Sequence, residues 1–110
     1  MSTASTRRSD PTPVFAALGD RTRLSLLMTL SDGERRSIAR LSADSRMSRQ
    51  AVAKHLHVLE EAGLVESVRV GRESRFAYRP GPLAHARSYL DDVARQWDES
   101  LGRLRDLVER

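Results

Sequence analysis

Gly63 marks a change of hydrophobic period that constrains the fold more than any other feature of the chain. Before it, residues 48–62 carry apolar side chains at helical spacing in one narrow seam, and Ser48 supplies a good N-cap. After it, residues 64–70 approximately alternate apolar and polar side chains, which is typical of a strand. Because glycine readily adopts the left-handed conformation that ends helices, the sequence predicts a capped helix followed directly by β-structure.

A β-hairpin follows this helix. Its first strand covers residues 64–70, a glycine-containing turn covers 71–74, and its second strand covers 75–79, with Phe76 and Tyr78 on one face. Two short strands joined by such a turn pair as antiparallel neighbours. We therefore expect a mainly α-helical chain with one small hairpin, which is an α+β fold.

Three shorter helices precede the capped helix. The first covers residues 14–18 and ends at Gly19, and Asp20 is a good N-cap for the second. The apolar residues of the second helix, which we expect to face inward, are Leu24, Leu27, Met28 and Leu30. The third helix covers residues 37–43 and is followed by a turn at 44–46. The predicted order of elements is α-α-α-α-β-β-α.

The last segment is one long helix, predicted from Leu83 to Val108 after a break at residues 80–82. At 1.5 Å per residue it is about 40 Å long. One apolar stripe runs along it and consists of Leu90, Val93, Trp97, Leu101, Leu104 and Val108. A helix of this length exceeds what a 110-residue domain can cover, so we expect the stripe to pack against a second copy. The alternatives are an intrachain core and, for Trp97, an effector pocket.

The length of 110 residues fits a single domain. We assign residues 12–110 to it, with a dimerisation helix at 83–109, and residues 1–11 to a disordered polar tail. The tail lacks the apolar run of a signal peptide, and no segment has the roughly 20 apolar residues that span a bilayer, so no membrane partner is expected. The absence of cysteine excludes disulfides and fits a cytoplasmic protein.

Positive charge is concentrated in the middle of the chain, whose net charge is +4. Residues 46–79 contain seven Lys or Arg against four Asp or Glu, whereas residues 80–110 contain five against six. Such an excess favours an anionic partner, and nucleic acid is the first candidate.

Two helices joined by a short turn, followed by a basic hairpin, predict a winged helix-turn-helix. The capped helix would enter the major groove of double-stranded DNA, where Gln50 can pair with adenine and Arg49 or Lys54 with guanine. The hairpin arginines suit phosphate or minor-groove contacts. The predicted DNA-binding residues are Ser48, Arg49, Gln50, Ala53, Lys54, His57, Arg69, Arg72 and Arg75. For His57, DNA contact and simple solvation both stay open.

The stretch SRQAVAKHLHVLEEAGLVESVRVGRESRFAYRP resembles the recognition helix and wing of ArsR-type (ArsR/SmtB) bacterial repressors, and VFAALGDRTRLSLLMTL resembles their opening helices. The resemblance implies a homodimer joined through the first and last helices, with Val14 and Phe15 contributing from the first. It also implies autoregulated repression from an inverted-repeat operator, relieved by an effector. By position, the base-reading residues of the family are Arg49, Gln50, Ala53 and Lys54, and Ala53 stands where the family often has Ser.

The metal sites common in that family are incomplete in this chain. The third helix reads SIARLSADS and has no thiolate pair. The last helix has His85, Asp91 and Asp92 but no second histidine near its end. We therefore expect no metal and no cofactor, and the residues leave open whether a small-molecule effector binds.

An enzyme would need a chemical site that the sequence does not provide. We find no glycine-rich phosphate loop, metal cluster or nucleophile–base pair, so catalytic residues are not expected. The alternative to DNA binding is a winged helix that docks on another protein. A protein-docking face would expose apolar residues, whereas the outer side of the capped helix carries Arg49, Gln50 and Lys54.

Overall fold

The computed structural model describes residues 10–109, which form five helices and three strands. In chain order these are α1 (Thr12–Leu18), α2 (Arg21–Leu30), β1 (Arg36–Ser37), α3 (Ile38–Ser45), α4 (Arg49–Glu61), β2 (Val65–Val70), β3 (Glu73–Tyr78) and α5 (Pro80–Glu109). The predicted winged helix-turn-helix is confirmed, with α3 and α4 as the helix pair and β2–β3 as the wing. Residues 1–9 of the expected tail lie outside the described residues, whereas Pro11 is buried at the start of α1.

Side-chain caps begin three of the helices. Asp20, Ser37 and Ser48 each accept a hydrogen bond from the backbone N–H three residues further on, at 3.0 to 3.1 Å. At the other end of α4, Gly63 has a φ of +78° and closes the helix with the hydrogen bonds of a Schellman motif. The predicted caps at Asp20, Ser48 and Gly63 are therefore confirmed.

Several predicted boundaries are wrong. Helix α1 begins at Thr12 rather than at residue 14, and α3 continues to Ser45, through most of the turn predicted at 44–46. The turn of the wing covers only Gly71 and Arg72, because Val70 already pairs with Glu73. Gly71 has a φ of +64°, which suits the first central position of a tight hairpin turn. The long helix α5 begins at Pro80, inside the break predicted at residues 80–82. Proline is tolerated in the first turn of a helix because the N–H that it lacks would have no hydrogen-bond partner within the helix.

A third strand, β1, was not predicted. It pairs antiparallel with β3, so the sheet order is β1-β3-β2. Two residues are too few to show an alternation of apolar and polar side chains. Arg36 anchors the strand, because its guanidinium donates to both carboxylate oxygens of Asp32 at 2.7 and 3.0 Å and to the Thr29 carbonyl at 2.9 Å. These bonds tie β1 to the end of α2.

The core lies between the short helices and the inner face of the sheet, with the seam of α4 at its centre. The residues that α2 contributes to it are Leu26, Leu27 and Leu30. Leu24 and Met28, which were expected there, are 42% and 67% exposed. Apolar residues lie on more than one side of α2, and only the packing of α1 and α4 against it decides which side is buried.

The Asp32–Arg36 pair should make stability sensitive to acid. Hydrogen bonds from the Arg36 guanidinium lower the pKa of the Asp32 carboxyl from 3.8 to about 2. Since the folded-state pKa lies below the unfolded-state value, this stabilisation is complete above the unfolded-state pKa and is lost as the pH falls towards about 2. Asp32→Asn should therefore lower the Tm at neutral pH, and its difference from wild type should shrink on acidification through that interval.

Calorimetry at a series of pH values measures this difference. Asp44→Asn is the control, because it removes an exposed i,i+4 pair with Arg40 and should change the Tm less. A difference between wild type and Asp32→Asn that stayed constant from neutral pH down to about 2 would contradict the assignment of the stabilisation to this carboxyl.

Candidate nucleic-acid interface

The polar side of α4 is turned away from the protein body. Val52, Leu56 and Leu59 are completely buried, so the residues on the opposite side of the helix point outward. Among the predicted base-contacting residues, Ala53 is half-buried and the exposed ones are Ser48, Arg49, Gln50, Lys54 and His57. The described chain leaves this side of α4 open, as a helix that enters the major groove requires.

The turn between α3 and α4 is held by its own hydrogen bonds. The Ser42 hydroxyl donates to the carbonyl of Met47, and the Ser45 hydroxyl donates to the carbonyl of Leu41 at 2.7 Å. The backbone N–H of Arg46 donates to the Ser42 carbonyl at 3.1 Å. Arg46 has a φ of +63°, and no other non-glycine residue in the described part of the chain has a positive φ. These bonds hold the first turn of α4 in a defined orientation to α3.

The strand register separates the three wing arginines, which the sequence predicted as one group. Arg69 lies opposite Ser74, on the same side of the sheet as the buried Phe76. Arg75 lies on the other side of the sheet. Arg72 is exposed in the two-residue turn. The wing therefore carries one arginine at its tip and one on each side.

Contacts with carboxylates divide the predicted DNA-binding basic side chains into two groups. Those that make no ion pair with any residue between 10 and 109 are Arg49, Lys54, Arg69 and Arg72. Arg75 instead donates to Glu73 at 2.8 Å, and Nε2 of His57 lies 2.9 Å from the Glu61 carboxylate. Both pairs are exposed and therefore weak. An approaching anion meets free cations in the first group and must displace a carboxylate in the second.

Two contacts missed by the sequence analysis hold α4 and α1 against α2. Nδ1 of His55, on α4, lies 3.9 Å from the carboxylate of Asp20 at the start of α2. The Arg23 side chain donates to the carbonyl of Ala17 at 2.7 Å, at the end of α1. The backbone N–H of Arg23 donates to Asp20 and lowers the pKa of that carboxyl. No local pattern identifies such pairs, because the partners lie on different helices.

The apolar stripe of α5 is largely exposed. The exposed fractions of five of its residues lie between 51% and 78%, and these residues are Leu90, Trp97, Leu101, Leu104 and Val108. Val93 is half-buried. Tyr89 and Leu107, which the sequence analysis left out, add to the exposed apolar surface. Trp97 lines an open groove together with three neighbours on its own helix.

The two first-helix residues expected at a dimer interface differ in burial. The ring of Phe15 is half-buried and lies 6.4 Å from the ring of Tyr89 on α5, so it continues the apolar surface of that helix. Val14 is only 6% exposed and packs in the core of its own chain. Val14 therefore has little exposed surface in the single chain, and its assignment to the interface stays a prediction.

Neither a metal cluster nor a membrane span is found between residues 10 and 109. No group of three or more His, Asp or Glu side chains in this range could hold a metal ion. His85, Asp91 and Asp92 are each exposed on α5. No helix in the same range is long and apolar enough to cross a membrane.

Comparison with known proteins shows the family to which this chain belongs. The profile for bacterial regulatory proteins of the arsR family matches residues 20–67. The chain is 41% identical over 76 residues to the HTH-type transcriptional regulator YuzN of Bacillus subtilis, covering 64% of this chain and 83% of that protein. It is 34% identical over 105 residues to the HTH-type transcriptional regulator Rv2034 of Mycobacterium tuberculosis, covering 96% of this chain and 94% of that one.

A solved structure agrees over nearly the whole length. An ArsR-like transcriptional regulator from Rhodococcus sp. RHA1 superimposes with a TM-score of 0.81 at 38% identity, covering 94% of this chain and 95% of that one. The matched relatives are regulators of transcription and not enzymes. The protein is therefore an HTH-type DNA-binding transcription regulator of the ArsR family.

Proposed function

We propose that this regulator acts as a homodimeric repressor of its own operon by binding an inverted-repeat operator. The observation that carries the proposal is the open polar side of α4, flanked by an arginine-bearing wing. Two such surfaces related by a twofold axis would match a palindromic site. Repression follows if the operator overlaps the promoter, and the site of action is then the cytoplasm, where bacterial DNA lies.

The second subunit is inferred from α5. Seven of the eleven large apolar residues that are exposed in the described chain lie on this helix. A monomer rarely leaves so long an apolar stripe in water, because its burial stabilises association by roughly 25 cal/mol per Å². A Mycobacterium bovis protein of the same fold, Mb0332, has a homodimeric winged helix-turn-helix domain, at 23% identity and a TM-score of 0.64. We propose that α5 and Phe15 form the corresponding interface here.

The roles on DNA follow from position and charge. Arg49, Gln50 and Lys54 would read base edges in the major groove, with the small Ala53 allowing close approach. The N-terminal end of α4, which Ser48 caps, would lie beside a phosphate. Arg69 and Arg72 of the wing, which are unpaired within residues 10–109, would bind phosphates or enter the minor groove.

Binding of the purified chain to its own upstream DNA tests the proposal. Fluorescence anisotropy should give a Kd in the nanomolar range at moderate salt, at least about 1,000-fold tighter than for a shuffled duplex of equal length. A reporter fused to the same promoter should be silenced by the chain and released by Arg49→Ala. Equal affinity for both duplexes would exclude an operator in that region. Absence of binding to any duplex would favour the protein-docking alternative.

The carboxylates of the interface should weaken DNA binding. Glu73→Gln removes a negative charge from the wing and frees Arg75 from its 2.8 Å ion pair, so the affinity for any duplex should rise by about threefold at low salt. Glu61→Gln should act in the same direction through His57. Titrations at low and high salt measure the effect, and Glu99→Gln on α5 is the charge-matched control. Unchanged affinity in Glu73→Gln would mean that Arg75 lies away from the DNA.

A further inference from the structure

We propose that Arg46, in the turn between α3 and α4, binds a DNA phosphate beside the recognition helix and so extends the predicted contact set. This inference rests on the proposed function, since it requires DNA to lie against the open side of α4. Arg46 belongs neither to α4 nor to the wing, and nothing in the helical or strand periodicity singles it out.

The Arg46 guanidinium is free within the described part of the chain. The residue is exposed, and its side chain makes no ion pair or hydrogen bond with residues 10–109. The carboxylate nearest in sequence, Asp44, is already bound to Arg40 at 3.2 Å. Arg36 and Arg75 likewise have carboxylate partners. The Arg46 cation is thus available to an external anion.

The backbone beneath this cation is held in place. The N–H of Arg46 donates to the Ser42 carbonyl at 3.1 Å. The Ser42 hydroxyl donates to the carbonyl of Met47, the residue that follows Arg46. Only the side chain of Arg46 would therefore lose freedom on binding a phosphate, which keeps the entropic cost of the contact low.

The position itself disfavours arginine. With a φ of +63°, the backbone of Arg46 occupies the left-handed region, where glycine fits without steric strain. No side-chain contact of Arg46 within residues 10–109 offsets the strain of an arginine at this position. Since Arg46 precedes Ser48 and Arg49, it lies at the end of α4 that would meet the edge of the major groove. Phosphates line that edge, and a cation there supplies affinity without sequence preference.

Salt-dependent titrations of Arg46 variants test the inference. The probes are a duplex of the chain's own upstream DNA and an unrelated duplex of equal length. Arg46→Ala and Arg46→Gly should reduce the slope of log K against log salt by about 0.9 for each bound subunit, on both duplexes alike. Their affinity at 0.15 M salt should fall by roughly tenfold, and Arg46→Lys should retain most of it. Arg103→Ala on α5 removes the same charge elsewhere and should leave the slope unchanged.

Stability separates a lost contact from a damaged fold. Because glycine relieves the left-handed strain, Arg46→Gly should raise the Tm by about 4 °C while it weakens DNA binding. An unchanged slope of log K against log salt in Arg46→Ala would overturn the inference. A loss of affinity confined to the chain's own upstream duplex would also overturn it, because such a loss indicates contact with bases rather than with phosphates. If Arg72→Ala weakens binding and Arg46→Ala does not, only this inference fails. If wild type binds neither duplex, the proposed function fails with it.

Discussion

The Leu101→Glu variant is expected to be monomeric and to lose operator binding. Leu101 lies in the middle of the exposed stripe of α5, and both copies would be buried in the proposed dimer. Loss of two buried leucine side chains removes about 3–6 kcal/mol of association free energy, and the two carboxylates add a desolvation penalty. The dimer dissociation constant should therefore rise by at least about 1,000-fold.

Sedimentation equilibrium measures this change directly, because the chain mass is 12.4 kDa and the proposed dimer has twice that mass. Operator affinity should fall by roughly 100-fold or more, because a monomer binds one half-site, whereas a dimer binds both half-sites at once and gains affinity from their linkage. Ser88→Glu is the matched control. Ser88 is two residues from Leu90, about 200° around the helix axis, so its carboxylate would stay in water. A Leu101→Glu variant that remained dimeric would place the interface elsewhere.

Replacement of Gln50 by alanine should abolish discrimination at one position of the operator. A bidentate contact from this amide to a base contributes about 1–3 kcal/mol of discrimination, which is roughly 5- to 150-fold per half-site. Affinity for unrelated DNA should hardly change, because phosphate contacts supply that binding. Arg49→Ala should lower both affinities, since it removes a charge as well as a base contact.

A panel of operator variants with each base pair replaced in turn provides the measurement. The wild-type protein should bind more weakly to operators changed at the base pair that Gln50 contacts. Gln50→Ala should bind those operators as well as the original one, and its affinity should still fall when other contacted base pairs are changed. Gln96→Ala, an exposed position on α5, is the control and should leave the profile intact. If Gln50→Ala retained the full base preference of wild type, then α4 would not read DNA through this side chain.

The parts of the site that depend on neighbouring residues could be predicted from the chain alone. The cap at Ser48, the apolar seam of α4 and the helix end at Gly63 each involve groups within about one helical turn or two. The exposed side of α4 follows from the same period, so its base-contacting candidates can be predicted without any tertiary contact. The apolar stripe of α5 can be predicted for the same reason.

Long-range contacts decided the rest. Strand register placed Arg69 and Arg75 on opposite sides of the wing and bound Arg75 to Glu73. Packing put Val14 in the core of its own chain and left Met28 in water.

The sequence by itself determined which of the longer segments are helices or strands and which side of α4 is polar, because those properties follow from interactions between neighbours along the chain. Only the tertiary structure decided the short strand β1, the bond between Arg36 and Asp32, and which cations stay free for an anion. Such outcomes depend on which distant segments come together, and a side chain carries no local signal of the partner it will meet.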